Sequence, residues 1–316
     1  MKRGLLRMPR ALALSGVLLI AQTGFAEAPP LTFQKTDRVL VLAPHPDDES
    51  LGCGGVLHAA ARAGIPVHVV FLTNGDANEL SFLVYQRRPV VTPTGVLDMG
   101  RLRGQEALRA ARALGLPDGS VTFLGYPDAG TMPMWTGCWG SHPPHESLLT
   151  RVSAVPYQTA LHPGAPYKPE SVMQDLQTVL RSFRPTQVFV SHPDDAHPDH
   201  RAWYLYAMAT LWETPDVPPP AVHPFLIHHK SWPPPASDPA VAPLDPPPSL
   251  AAAIAWGRRP LDGADVDAKR EALEAHATQI AYSRAFMLGF VRRNELFGDF
   301  PHADLRRTNP SMKARL

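Results

Sequence analysis

Residues 38–49 have the sequence Arg-Val-Leu-Val-Leu-Ala-Pro-His-Pro-Asp-Asp-Glu, an apolar run that ends in proline, histidine and carboxylates. A short run of Val and Leu bounded in this way predicts a buried β-strand. In open α/β sheets, ligands bind at the carboxyl ends of the strands. The imidazole of His45 and the carboxylate of Asp48, three residues apart on a tight turn, can both reach one divalent ion. The segment therefore predicts a metal site at the end of a strand.

A second segment repeats this arrangement about midway along the chain. The apolar run Gln187-Val188-Phe189-Val190 is followed by residues 191–201, Ser-His-Pro-Asp-Asp-Ala-His-Pro-Asp-His-Arg. Three histidines and three carboxylates thus follow another predicted strand. The segment offers candidates for the further ligand that the first segment lacks.

Predicted helices and strands alternate along the rest of the chain, which favours one α/β domain over two small ones in 316 residues. The expected fold is a Rossmann-like, doubly wound, mostly parallel sheet with long proline-rich and substrate loops. A proline-dense stretch, residues 214–250, is expected to be surface loop, except for a strand over 225–229. The other predicted strands are 67–72, 121–124 and 187–190, and the predicted helices are 54–62, 97–114, 172–183 and 200–212.

The two histidine-containing segments together resemble the motifs of the PIG-L or LmbE-like de-N-acetylases, a family of metal-dependent N-acetylglucosaminyl deacetylases. The resemblance covers residues 38 to about 130, 172–212 and 266–298. It implies one deacetylase domain over residues 35–305, with a proline-rich insertion at about 214–250.

The resemblance implies metal ligands and substrate contacts. Zn²⁺, or another divalent metal such as Fe²⁺, would be bound by His45, Asp48 and His200. Two histidines, one carboxylate and an open water position make a hydrolytic centre. Arg103 and Asp128 would hold the hydroxyl groups of a sugar. From the residues alone, the first two ligands are also compatible with a helix cap on a surface loop.

The resemblance also implies three catalytic roles. Asp47 would be the general base that takes a proton from the attacking water, and His197 would stabilise the oxyanion and protonate the leaving amine. Asp199 would keep His197 protonated, because a nearby carboxylate raises an imidazole pKa. The alternative role for Asp47 is that of a hydrogen-bond acceptor that supports the metal ligands. The alternative for His197 and Asp199 is helix capping.

Neighbouring polar residues are expected to have supporting roles. His192 is a weaker ligand candidate because it precedes the family motif, and Asp195 is expected to support a ligand from behind. Glu49 is expected to turn inward to loop amides. For Arg103, an ion pair with Glu106 on the same helix is nearly as well supported as substrate binding.

The N-terminus has the pattern of a secretory signal peptide. Four basic residues precede an apolar run over residues 11–21, and small residues at 24 and 26 favour cleavage after Ala26. This run is shorter than the roughly 20 residues needed to span a bilayer. We therefore expect residues 1–26 to be removed, no transmembrane span in the mature chain, and export to the periplasm or the extracellular space.

The charge balance gives no support to nucleic-acid binding. The chain has 30 Lys and Arg against 29 Asp and Glu, and removal of the four basic residues of the signal peptide leaves 26 against 29, a net charge of −3. The two cysteines, Cys53 and Cys138, leave pairing undecided, although a small buried thiol is favoured for Cys53.

The sequence thus predicts an exported zinc-dependent hydrolase that removes the acetyl group from an N-acetylated amino sugar or glycoconjugate. Two alternatives remain open: a metal-dependent amidase acting on another amide, such as a thiol conjugate, and a carbohydrate-binding protein without catalytic activity. Four histidines and tryptophans in the loop after residue 130 either stack on a sugar or pack the loop: Trp135, Trp139, His142 and His145.

Overall fold

The computed structural model describes residues 27–28, 31–78, 84, 91–236 and 238–299, so the expected signal peptide lies outside the described residues. These residues contain eight strands, β1 Glu27–Ala28, β2 Val39–Ala43, β3 Val67–Thr73, β4 Val121–Tyr126, β5 Gln187–Ser191, β6 Ala221–Phe225, β7 Ala255–Pro260 and β8 Asn294–Asp299. They also contain eight helices, α1 Asp48–Arg62, α2 Pro93–Ala113, α3 Thr131–Gly137, α4 Pro169–Phe183, α5 Pro198–Glu213, α6 Pro248–Ala251, α7 Gly263–Ala275 and α8 Ala277–Leu288.

The eight strands form one sheet in the order β1-β7-β8-β6-β5-β2-β3-β4. Only β8 runs antiparallel to its neighbours among these strands, which confirms the predicted mostly parallel, doubly wound sheet. From β2 the chain proceeds outward through β3 and β4, and it then returns to place β5 on the other side of β2. The switch point of the topology therefore lies between β2 and β5, the two strands that precede the histidine-containing segments.

Both faces of the sheet are covered, as a parallel sheet requires. Alternate residues of β2 pack on opposite faces of the sheet, with Val39 and Val41 in one hydrophobic core and Leu40 and Leu42 in the other. Helices α1, α2 and α7 pack on the first face, and α3, α4 and α5 pack on the second. The near-continuous apolar character of β2 follows from this burial on both sides.

All four predicted helices begin earlier than the sequence predicts, and α1 and α2 differ the most. Helix α1 begins at Asp48 instead of residue 54, so the acidic motif itself forms the first turn, where negative charge interacts favourably with the helix dipole. Helix α2 begins at Pro93, where the Thr92 side chain accepts a hydrogen bond from Gly95 N at 3.1 Å. Proline at the first helical position and a threonine cap explain this boundary.

The proline-rich segment departs from its predicted structure. Its strand spans Ala221–Phe225, not 225–229, because these residues pair in parallel with the whole of β5. The segment also contributes buried side chains, and Trp232 packs edge-to-face on Phe290 with ring centroids 5.3 Å apart. The expectation of a surface loop is therefore wrong for this part of the segment.

Cys53 and Cys138 are both buried and both free, as favoured for Cys53. None of the helices in the described ranges combines the length and the apolar character needed to cross a bilayer.

A buried ion pair fixes α1 against the C-terminal part of the domain. Lys269 Nζ lies 2.6 Å from Glu295 Oε1, and both side chains are almost fully buried. The carboxylate accepts hydrogen bonds from the backbone N–H groups of Gly55 and Val56, each at 2.8 Å, while Lys269 Nζ donates to Leu51 O at 2.8 Å. The pair thus binds backbone atoms in the middle of α1 and holds the helix whose first turn carries Asp48.

We predict that Lys269→Met lowers the free energy of unfolding by about 3–5 kcal/mol, because the Glu295 carboxylate stays buried without its counter-charge. Urea unfolding followed by circular dichroism would measure the change. The matched control is Arg284→Met, which removes an exposed ion pair with Glu274 and should cost less than about 1 kcal/mol. Equal effects of the two substitutions would contradict a stabilising role for the buried pair.

Candidate metal centre and active site

The two histidine-containing segments meet at the switch point. Asp48 Oδ2 lies 3.1 Å from His45 Nδ1 and 3.2 Å from His200 Nε2, and all three side chains are buried. Ligand atoms around a tetrahedral ion at 2.0–2.1 Å are about 3.3 Å apart. The two distances from Asp48 therefore match the ligand spacing around a small divalent cation, and the three residues form a candidate set of ligands.

Further carboxylates contact the opposite nitrogens of the same imidazoles. His200 Nδ1 lies 3.2 Å from Asp195 Oδ2, and His45 Nε2 lies 3.2 Å from Asp128 Oδ1 and 3.3 Å from Asp199 Oδ2. A carboxylate behind a metal-binding histidine fixes its ring and raises its basicity. The supporting position expected for Asp195 is thus observed, and Asp128 and Asp199 support the other imidazole.

The electrostatics of this cluster favour positive charge. Burial lowers the pKa of His45 and His200, but the surrounding carboxylates outweigh it and raise the pKa of His45 well above its usual value and that of His200 to about 10. Burial would raise the pKa of Asp48, yet the two imidazoles hold it well below the usual range. A field that retains protons on two imidazoles also attracts a divalent cation, which would displace those protons.

Asp47 occupies a strained turn between the strand and the helix. Its φ of +138° lies in a region that L-residues rarely adopt, and its carbonyl accepts hydrogen bonds from the N–H groups of Ser50 and Leu51. This backbone geometry directs successive carboxylates to different places: Asp48 to the imidazoles and Asp47 to the cavity. Burial raises the pKa of Asp47 to about 7 despite the nearby Arg103 guanidinium, a value suited to accepting a proton near neutrality.

Arg103 is fixed by three contacts around this turn. Its guanidinium donates to Gly75 O at 2.6 Å and to Pro46 O at 2.7 Å, and it lies 3.3 Å from Asp47 Oδ1. A Cβ atom at residue 75 would lie 2.1 Å from the guanidinium, so glycine is required there. The alternative for Arg103, an ion pair with Glu106, is not observed, and the Glu106 carboxylate accepts hydrogen bonds from Thr278.

The Asp199 carboxylate raises the pKa of His197, as the sequence predicts, but it does not hydrogen-bond to that ring. It accepts hydrogen bonds from the N–H groups of Ala129 and Thr131 and faces His45. Only the backbone N–H of Asp199 reaches His197, donating to Nδ1 at 3.2 Å as a helix cap. Burial and the neighbouring imidazoles of His45 and His200 outweigh the effect of the carboxylate and lower the pKa of His197 to about 4, which disfavours the expected protonated ring. Helix geometry, which separates side chains two residues apart, explains why the carboxylate does not reach the ring.

Glu49 turns inward, as predicted. Its carboxylate accepts hydrogen bonds from Asp47 N at 3.0 Å and Ser50 Oγ at 2.7 Å, and it lies 3.0 Å from His276 Nε2. These contacts hold the strained turn in place and keep Glu49 away from His45 and His200. His192 is also kept from the cluster, since it stacks on Trp256 with centroids 5.3 Å apart.

A cavity of about 430 Å³ opens over the cluster. The predicted residues His45, Asp47, Asp48, Arg103, Asp128 and His197 line it. Sequence reasoning missed the opposite wall, which comes from α8 and from the segment after β6. The family resemblance covers α8 but implies no site residue in it, and it does not cover the segment after β6. The missed lining residues are Leu51, Ala77, Asn78, Ala129, His228, Gln279, Tyr282, Ser283, Phe286 and Met287.

The aromatic residues of the loop after residue 130 do not line this cavity within the described residues. Trp135 packs edge-on against Tyr206 and Trp139, with centroid distances of 4.9 and 5.1 Å. Of the two possibilities that the sequence leaves open for Trp135, the structure supports packing.

An open, mostly parallel α/β sheet with a buried histidine and carboxylate cluster at its switch point is suited to bind a divalent metal at the position where such sheets bind ligands. Comparison with known families makes the assignment specific. The profile of the family described as PIG-L, GlcNAc-PI de-N-acetylase, matches residues 40–211, which is more than half of the chain. The chain belongs to the PIG-L family.

Similar proteins carry deacetylase names. A protein of Thermobifida fusca named 1D-myo-inositol 2-acetamido-2-deoxy-alpha-D-glucopyranoside deacetylase is 28% identical over 271 residues, which cover 77% of this chain and 84% of that protein. A Saccharopolyspora erythraea protein of the same name, numbered 1, is 30% identical over 192 residues, covering 59% of this chain. The matched region spans only 57% of the length of that relative.

Solved structures share the fold at lower sequence identity. The N,N'-diacetylchitobiose deacetylase of Pyrococcus horikoshii gives a TM-score of 0.52 at 20% identity, with 88% of each chain covered. The zinc-inhibited form of the teicoplanin deacetylase Orf2 gives 0.54 at 18% identity, with 83% of this chain and 97% of that chain covered.

We predict that the His276–Glu49 contact makes stability depend on pH. Burial lowers the pKa of His276, but Glu49 outweighs it and the net shift is upward. The contact therefore contributes fully to the free energy of unfolding below pH 6.5, the pKa of His276 in the unfolded chain. This contribution is lost as the pH rises through the pKa of His276 in the folded protein, with a limiting slope of about 1.4 kcal/mol per pH unit. Urea unfolding from pH 5 upward should show the gap between the wild type and His276→Gln narrowing; a gap that widens with pH would contradict the assignment.

Proposed function

We propose that this chain is a divalent-metal-dependent hydrolase that removes the acetyl group from an N-acetylated amino sugar or glycoconjugate. One observation carries the proposal: Asp47 and His197 line the same cavity as His45 and Asp48, and His200 Nε2 lies 3.2 Å from Asp48 Oδ2. A base, a hydrogen-bond donor and a metal-binding trio around one space are the groups that amide hydrolysis needs.

His45, Asp48 and His200 are the proposed metal ligands. Two imidazoles and a carboxylate suit zinc, and Fe²⁺ is a second candidate with the same donor set. A bound metal would polarise the amide carbonyl and increase the acidity of a water molecule. Asp195, Asp128 and Asp199 would orient the two imidazoles.

Asp47 and His197 would carry out proton transfer and stabilisation of the oxyanion. Asp47 accepts a proton from the attacking water while the water oxygen bonds to the carbonyl carbon. His197 Nδ1 accepts a hydrogen bond from the Asp199 backbone, so the neutral ring has its proton on Nε2 and can donate to the developing oxyanion. The carbon–nitrogen bond then breaks, the proton held by Asp47 passes to the leaving nitrogen, and acetate and a free amine are released.

The substrate class rests on family membership and on the cavity. The relatives are named for an N-acetylated sugar linked to inositol, and the neighbouring chitobiose enzyme for a diacetylated disaccharide. Arg103 and Asp128 remain the proposed contacts for sugar hydroxyls because both line the cavity. An amide without a sugar and a purely carbohydrate-binding role are outcomes that the activity test separates.

We further propose that the chain is exported. The support is the sequence of residues 1–26, with its basic start, apolar centre and small residues before the expected cleavage position. Cleavage after Ala26 would retain Glu27–Ala28, whose backbone forms strand β1 beside β7.

We predict that the purified mature chain loaded with zinc releases acetate from N-acetylglucosamine, its short oligomers or an inositol- or lipid-linked form, and that a chelator stops this release.

Asp47→Asn should lower kcat by about 10²–10⁴ and keep its metal, because it removes only the base. Asp48→Asn should lose both metal and activity. Acetate release would be followed with a coupled assay, and metal by elemental analysis.

Two results would count against this function. Unchanged turnover in Asp47→Asn would exclude the assigned base. No release from any sugar by a metal-loaded wild type would favour another amide, to be tested with N-acetylated thiol conjugates, or a binding role, to be tested by calorimetry with the same sugars.

We predict that expression of the full chain in a bacterial host yields a mature protein beginning at Glu27 in the exported fraction. N-terminal sequencing of that fraction provides the measurement, and Ala26→Arg should block cleavage because small residues are needed before the cut. An intact N-terminus on cytoplasmic protein would contradict export.

A further inference from the structure

His228 lies outside both histidine-containing segments and yet reaches the cavity. It follows strand β6, where the backbone N–H groups of Ile227 and His228 each donate to Asp195 Oδ2 at 3.0 Å. Its carbonyl accepts a hydrogen bond from Ala196 N at 2.8 Å. The backbone of this residue is therefore fixed by Asp195, the same carboxylate that lies behind His200.

The ring of His228 is held between two walls of the cavity. On one side it packs edge-on against His200, with centroids 4.8 Å apart, and tilted against His197 at 5.4 Å. On the other side it stacks on Phe286 of α8, with centroids 5.9 Å apart and planes within 9°. These contacts restrain the ring without using its nitrogens, since no hydrogen bond to them is formed by any part of the chain that the structure describes.

A restrained imidazole that lines a cavity and makes no hydrogen bond to the described residues through its nitrogens is suited to bind a polar atom of a ligand. One ligand atom of His228 lies within 4.8 Å of those of Asp48 and His200, so it approaches the proposed metal position. A hydrolytic metal keeps one coordination position open, and a third imidazole bound there would close it. Contact with the substrate agrees better with the proposed chemistry than ligation.

We propose that His228 binds the reacting amide as a second imidazole beside His197, donating a hydrogen bond to the carbonyl oxygen as negative charge develops on it. This inference rests on the proposed function. Two donors on an oxyanion, both positioned before the substrate arrives, are the arrangement that lowers the barrier for acyl transfer. His228 makes no bond to carbon and transfers no proton in this role.

The test compares kcat, KM and bound metal in the full mature chain. His228→Ala should lower kcat by about 10²–10³ with KM within about threefold and metal unchanged, because the contact strengthens in the transition state. His228→Gln, which keeps an N–H donor, should recover about tenfold of that loss. The matched control is His229→Ala, since this neighbouring ring contacts Ser249 Oγ at 3.1 Å and lies outside the cavity lining.

Three outcomes would overturn the inference. Turnover in His228→Ala within about threefold of the wild type would exclude a transition-state contact, given the size of such contacts. Loss of bound metal would identify a ligand instead. An equal loss in His229→Ala would indicate a structural effect of this segment.

A binding experiment keeps the inference testable if the wild type turns over no acetylated sugar, a result that counts against the proposed function alone. Acetate presents the oxygen atoms that the carbonyl would place near His228, and calorimetry on the zinc-loaded chain measures its affinity. His228→Ala should weaken acetate binding about tenfold, the cost of one hydrogen bond to a charged group, and His229→Ala should leave it unchanged. Equal affinities in all three proteins, or no binding by any of them, would overturn the inference.

Discussion

A carboxylate buried beside other carboxylates is unstable unless cations or hydrogen-bond donors lie between them. At the junction of β2 and β5, Asp48, Asp128, Asp195 and Asp199 are packed around two imidazoles, each of which contacts at least two of them. The remaining lone pairs of these carboxylates accept backbone N–H groups from the loops that follow β3, β4 and β6. The need to neutralise buried charge therefore fixes the position of the loops after β3, β4 and β6 around the site.

The constraint extends into the scaffold through α1. The first turn of this helix carries Asp48, and its middle is bound by Lys269 and Glu295 from α7 and β8. Glu49 and His276 form a second link between α1 and the start of α8. The C-terminal part of the chain thus positions the first motif, although about 220 residues separate them. A site on the carboxyl ends of two strands needs this support because the loops alone would not hold it rigid.

The sequence was sufficient to predict the sheet, its parallel character and the meeting of the two histidine-containing segments, because a buried parallel strand and the motif after it are local patterns. It was insufficient where a contact depends on the direction of a side chain. Asp199 was assigned to His197 by its position in the chain, whereas the start of α5 turns its carboxylate toward His45. Helix α1 was placed six residues late because its glycines disguise a helix that tertiary contacts stabilise.

The missed wall of the cavity shows the same limit. The family resemblance does not cover His228 and implies no role for Phe286, and only the pairing of β6 with β5 and the packing of α8 bring them to the site. The β6 error followed from its proline, which predicted an end to the strand, whereas the strand includes Pro224.

The cavity is charged on one side, and on the other its lining within the described residues carries no carboxylate or guanidinium. The charged side comes largely from the two motifs, and the α8 side carries the polar side chains of Gln279, Tyr282 and Ser283 together with the apolar ones of Phe286 and Met287. An amide bound to the charged side would leave its attached group facing α8. In the proposed function the motifs therefore determine which bond reacts, while α8 is the element placed to discriminate among the groups that bear the bond.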